Sequence, residues 1–243
     1  MVFINIIDPI SKALGYEWLN DLSLGNIILK LFLSIICGGL IGLERAKKHS
    51  AAGFRTYILV CLGSTVAMMT NEFICVKMGS SDGARLGAQV ISGIGFLGAG
   101  TILVTSRNQI KGLTTAAGLW ACACLGLAIG VGFFTLAIIA TTIIVIVLSI
   151  LPKIEMFFYN KSNIITIHIE FQCRANLKEF VSYVRGQSFK IYSIEHNQAY
   201  SSSGLSVYSI VLCNLDKSRH LKHDAYLTQF NSLEYVNYVE EIR

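Results

Sequence analysis

Between Leu24 and Leu151 the chain runs for long stretches without a charged side chain, separated by short polar segments. A helix crossing the roughly 30 Å hydrocarbon core of a bilayer needs about 20 mostly apolar residues. Inside lipid the backbone must satisfy its own hydrogen bonds, so such stretches are read as helices. Five segments fit: residues 24–43, 54–74, 84–104, 113–128 and 133–151. The last is the most uniformly apolar. Its β-branched run over residues 141–147 would favour a strand in water, but in lipid its length decides for helix. Segments four and five are joined only by Gly130, Val131 and Gly132, a tight turn. Lys30 lies about two turns into the first segment, where a long side chain can snorkel to the interface.

Only 14% of the residues are charged, against about a quarter in soluble domains, and from Pro152 onward charge returns in ordinary numbers. A shift that sharp marks a boundary between two solvents. The expected organisation is an extracytoplasmic N-terminal segment (1–23), a membrane domain (24–152) and a soluble domain (153–243). Most of the net charge of +5 lies in the first part. The tail is nearly neutral, so no nucleic-acid surface is expected.

The basic residues bear on orientation. With five crossings, Arg45, Lys47, Lys48, Arg55, Arg107, Lys111, Lys153 and Lys161 fall on one side. The other side carries Lys12, Lys77 and Arg85, diluted by Asp8, Glu17, Asp21, Glu72 and Asp82. The positive-inside rule then puts the N-terminus outside and the C-terminal domain in the cytoplasm. The early acidic residues and the absence of a small-residue cleavage site argue against a cleavable signal peptide.

The tail has a different periodicity. Residues 163–171, 189–196, 205–213 and 235–242 read as strands, and 176–185 and 218–230 as helices, with Asn176 a candidate N-cap and residues 200–204 a turn. The order βαββαβ is ferredoxin-like. The expected fold class is therefore a polytopic helical membrane bundle of about five spans plus a C-terminal α+β ferredoxin-like domain.

Small residues recur at four-residue spacing. Ser34, Gly38 and Gly42 form one row; Gly118, Cys122, Gly126 and Gly130 form another; Gly87, Gly95 and Ala99 share a face of segment three, which also holds Gly93 and Gly98. Such rows let membrane helices approach closely, and they imply a compact, oligomeric bundle. None of the seven cysteines has metal-ligand spacing with a histidine; Cys37, Cys61, Cys122 and Cys124 read as small apolar filler.

Three polar clusters sit at the bundle's edges: Glu44 and Arg45 with Arg55; Asp82 and Arg85, with Gln89 and Ser92 further into that helix; and Lys111, Thr114 and Thr115. Two readings are open. Asp82 caps a helix and the arginines are interfacial anchors, or Glu44, Asp82 and Gln89 are oxygen ligands for a hard cation such as magnesium. No Walker loop, His-Glu-x-x-His or nucleophile elbow is present, so no enzyme is expected.

The stretches Gly38-Gly39-Leu40-Ile41-Gly42-Leu43-Glu44-Arg45, Ala52-Gly53-Phe54-Arg55-Thr56 and Asp82-Gly83-Ala84-Arg85 resemble the MgtC/SapB family, as do Gln89 through Gly100 and Lys111 through Trp120. The resemblance covers roughly residues 30–150. Gly83 stands where the family commonly has proline, which leaves Asp82 and Arg85 in place but alters the helix start. It implies a bacterial inner-membrane protein tied to magnesium homeostasis, growth in low magnesium and survival inside macrophages. Its implied partners are other membrane proteins, with the rotary ATP synthase or a magnesium transporter among them. The tail is similar to the ACT-like domain of longer members. Two functions stay open: a regulator acting through lateral helix contacts, and a magnesium transporter or channel. A pathway needs polar groups near the midplane, and the central thirds of these helices read as mostly bare.

Overall fold

The computed structural model describes residues 8–14, 23–79, 82–105, 109–161, 163–196, 205–215 and 223–242. Glu17, Asp21, Arg107, His220, the turn at 200–204 and the first residues of the last tail helix lie outside them. The chain divides into two compact units: residues 1–104 with 110–151, and residues 105–109 with 152–243.

The first unit is built from α1 (Pro9–Leu14), α2 (Leu24–Lys47), α3 (Phe54–Met78), α4 (Arg85–Ala99), α5 (Leu113–Gly130) and the part of α6 (Phe134–Lys161) up to Leu151, with a small hairpin of β1 (Leu103–Val104) and β2 (Ile110–Lys111). Helices α2, α3, α5 and α6 are each long and apolar enough to cross a membrane. Helix α4, at 15 residues, spans only about 22 Å. Its direction nevertheless makes it a pass through the bundle. Gly118 of α5 meets Tyr57, Gly126 meets Ser64 and Gly130 meets Met68, so α3 and α5 run parallel. The chain must therefore return between them, and α4 does so: Gly87 faces Leu127, and Gly98 faces Ala116.

Helix α3 is the central element. A Cβ added at Gly38 or Gly42 of α2 would stand 2.8 Å from Tyr57 O or Phe54 Cα, and one at Gly126 of α5 would overlap Cys61 O. Backbones that close can pack only over glycine. These contacts, with Gly118 and Gly130, draw α2 and α5 onto neighbouring seams of α3 that share Tyr57 and Cys61. Gly93 and Gly95 are a correction to the expected packing rows. A Cβ at either meets nothing within 4 Å: Gly93 opens onto a groove against α3, and neither glycine packs on a neighbouring helix. Gly98 packs more loosely, its Cβ 3.5 Å from Ala116 Cβ.

Several boundaries also differ from expectation, and three of them matter here. Segment one continues past Leu43 to Lys47, so Glu44 and Arg45 are helical. Segment three ends at Ala99 rather than at Val104. Thr101 Oγ1 takes the Gly98 carbonyl at 2.8 Å, and the chain turns into the hairpin. At the hairpin's end Gly112 has φ +95°, and a Cβ there would overlap Thr101 O, so only glycine fits. Segment five continues through Pro152 to Lys161.

In the second unit β3 (Ile164–Phe171), α7 (Asn176–Gly186), β4 (Phe189–His196), β5 (Ser206–Asn214), α8 (His223–Asn231) and β6 (Val236–Glu241) form an antiparallel sheet of order β4-β5-β3-β6. This is the ferredoxin-like arrangement. The alternation in β3 puts Ile165, Ile167, Ile169 and Phe171 into one core with Phe180 and Val184 of α7 and Phe230 of α8. Asn176 is not the N-cap of α7; Ala175 is, and Asn176 Oδ1 accepts from Cys173 Sγ at 3.3 Å.

Candidate functional site

The last turn of α2 brings Glu44 and Arg45 into a largely buried ion pair. Arg45 Nε donates to Glu44 Oε2 at 2.6 Å, with the side chains 6% and 11% exposed. Lys48, one turn on, places Nζ 3.3 Å from Glu44 Oε1. A buried arginine held this closely is worth more than a surface pair, and losing either partner would strand a charge. Lys48 Nζ also donates to the Leu148 carbonyl of α6 at 2.8 Å. That carbonyl lies four residues before Pro152, which has no amide to offer it. Ser50 Oγ donates to the Arg45 carbonyl at 2.9 Å and closes the end of the helix.

The third cluster joins the same end of the bundle. Thr115 is buried, and its carbonyl accepts from Tyr57 Oη at 3.2 Å; Cys122 Sγ donates to the Tyr57 carbonyl at 3.3 Å. Lys111 and Thr114 stay exposed. Arg55, also exposed, makes no ion pair among the described residues.

Asp82 and Arg85 lie beyond the opposite end of α3. Both are exposed, and Asp82 is not the cap of α4, whose N-cap is Ala84. The turn is held instead by the buried Asn71, which donates to Gly83 O at 2.7 Å and accepts from Leu86 N at 3.3 Å. Lys30 corrects the snorkelling expectation. It is 1% exposed, donates to Gly130 O at 2.8 Å and lies 3.5 Å from Glu72 Oε2. The carbonyl end of α5 is the negative end of its dipole, and it welcomes an ammonium group that lipid would not. At this end too, Asp8 accepts from Thr135 N at 2.9 Å and Ile10 N donates to Thr135 Oγ1, so the N-terminal helix caps α6.

These placements narrow the cation reading. Glu44 and Asp82 sit at opposite ends of α3, whose 25 residues measure about 37 Å, so they cannot share one ion. Glu44 is already held between two cations. Among the described residues no group of three His, Cys, Asp or Glu side chains could hold a metal. The mid-bundle is less bare than expected: Thr65, near the centre of α3, donates to both Cys61 O and Gly126 O. Its hydroxyl is consumed by helix packing. Gln89 and Ser92 point outward from α4, exposed.

Residues 31–157, just over half of the chain, match the MgtC family. The chain belongs to the MgtC family. YhiD of Escherichia coli (strain K12), provisionally named a magnesium transporter, is 36% identical over 142 residues, covering 56% of this chain and 66% of the relative. Protein MgtC of Brucella abortus (strain 2308) is 41% identical over 124 residues, covering 51% of this chain and 50% of the relative. The chain thus spans less than two thirds of these relatives. An uncharacterized protein of Haemophilus influenzae is 36% identical over 207 residues, 82% of this chain and 86% of the relative. A match that long extends past the family region into the tail. No solved structure matches significantly. All three polar clusters lie inside the MgtC match, whereas the sheet domain lies beyond it.

Sequence reading missed Tyr57, Asn71, the inward turn of Lys30 and the Lys48–Leu148 bond. A polar residue inside an apolar run signals the first three. Only Pro152 inside a helix could have signalled the last.

Proposed function

We propose that this MgtC-family chain regulates other bacterial inner-membrane proteins in the service of magnesium homeostasis, through lateral helix contacts. The observation that carries it is the polar face of α4. Arg85, Gln89 and Ser92 are exposed on α4, and Gly95, exposed on the same helix, would meet no neighbour with a Cβ. Small residues beside neutral polar ones suit a helix–helix interface. A transport path would instead need polar groups left free inside the bundle, and Lys30, Thr65 and Tyr57 are spent on helix carbonyls. In this proposal the N-terminus is extracytoplasmic. The sheet domain is cytoplasmic, ACT-like, and pairs with a second copy of itself.

The test is magnesium flux. Proteoliposomes holding this chain alone should take up magnesium no faster than protein-free vesicles. Uptake above that level would replace the regulator with a transporter. In a host lacking its own copy, Gln89→Leu and Ser92→Leu variants at normal expression should fail to support growth in magnesium-limited medium.

A further inference from the structure

An open groove of about 740 Å³ lies between α3 and α4. Leu59, Val90 and Leu97 form apolar walls. Gly63 and Gly93 also line it, and a Cβ at either would meet nothing within 4 Å, so the missing side chains make the hollow. The groove's α3 wall belongs to a helix apolar enough to span the bilayer, so its occupant arrives from lipid and not from water.

Charge marks one end. Arg55 stands at the start of α3, exposed and without an ion pair among the described residues. The helix begins there behind Gly53, an N-cap with no side-chain bond to the first amides, which adds positive potential beside the guanidinium. From Arg55 the α3 wall runs to Ser64, nine residues on, or about 14 Å at the helical rise. Half of a roughly 30 Å hydrocarbon core is one leaflet. A cationic end followed by an uncharged apolar trough one leaflet deep matches an anionic phospholipid.

We infer that the α3/α4 groove binds one anionic phospholipid, with its phosphate on Arg55 and an acyl chain laid over Gly63 and Gly93. The guanidinium fork suits a phosphate oxygen pair. The inference stands apart from the regulator reading, since it needs no protein partner.

The full chain, purified in detergent and stripped of lipid, would be titrated with phosphatidylglycerol or phosphatidylcholine of identical acyl chains. Bound lipid would be counted by native mass spectrometry. The parent should retain phosphatidylglycerol roughly tenfold more tightly, the scale of one charge-assisted bond. Arg55→Gln should erase that preference, and Gly63→Leu and Gly93→Leu should each lower retention of both lipids. Equal retention of the two lipids by the parent would overturn the inference. So would retention unchanged in both glycine variants, which would leave the groove to a helix of another protein. Should the leucine variants misfold, Leu59→Trp gives a second reading. The added fluorescence should be quenched more by brominated phosphatidylglycerol than by brominated phosphatidylcholine, and equal quenching would also overturn it.

Discussion

Lys48 Nζ donates at 2.8 Å to the carbonyl of Leu148, the one backbone acceptor of α6 that Pro152 deprives of its amide. A proline inside a helix costs about 3 kcal/mol or more, partly through that orphaned carbonyl. In a membrane no water replaces the lost donor, so another helix must. Because Lys48 also faces Glu44, the continuity of α6 past the membrane domain is tied to the buried Glu44–Arg45 pair.

This link predicts a coupled pair of substitutions. Lys48→Met should lower the stability of the detergent-solubilised chain by about 1–2 kcal/mol. In a Pro152→Ala background the restored amide takes the Leu148 carbonyl, and the same change should cost much less. Equal losses in both backgrounds, measured by chemical unfolding, would show that the bond does not compensate the proline.

Arg45→Lys should fail to support growth in magnesium-limited medium while expressing normally. A lysine has no Nε from which to make the short bond to Glu44 in a site this closed. Exposed Arg55 should tolerate lysine in the same assay, because a single positive charge at the interface remains. If Arg45→Lys grew like the parent, Arg45 would be an anchor and nothing more.

Gly126→Ala should loosen the bundle, since its methyl would overlap Cys61 O, at a cost of roughly 1–3 kcal/mol. Gly63→Ala, which meets open space, should be near neutral or slightly stabilising in a helix. Thermal unfolding of the two variants in one detergent compares them directly. Similar midpoints would deny the close approach of α3 and α5.

Residues 163–243 should fold alone as a mixed α/β domain, because Phe171, Phe180 and Phe230 close a core within that unit. Phe180→Ala in the fragment should cost about 3–5 kcal/mol. Circular dichroism of the fragment checks the first claim and urea unfolding the second. Analytical ultracentrifugation tests whether the fragment pairs.

The membrane character, the family and the βαββαβ order were legible from residue order alone. Each depends on local facts: apolar run length, motif spacing, and period-two alternation in stretches such as Ile165, Ile167 and Ile169. The glycine rows at Gly38, Gly42, Gly118 and Gly126 were legible as rows, but not the helix each one meets. Direction and partner belong to tertiary structure. Lys30 had the same sequence signature whether it rose to the interface or turned inward, and only the free carbonyl at Gly130 decided it. Asp8 capping α6 and Lys48 capping the proline gap join residues a hundred or more positions apart. No local pattern encodes such pairs, because the unmet hydrogen bond that selects the partner exists only once the helices are packed.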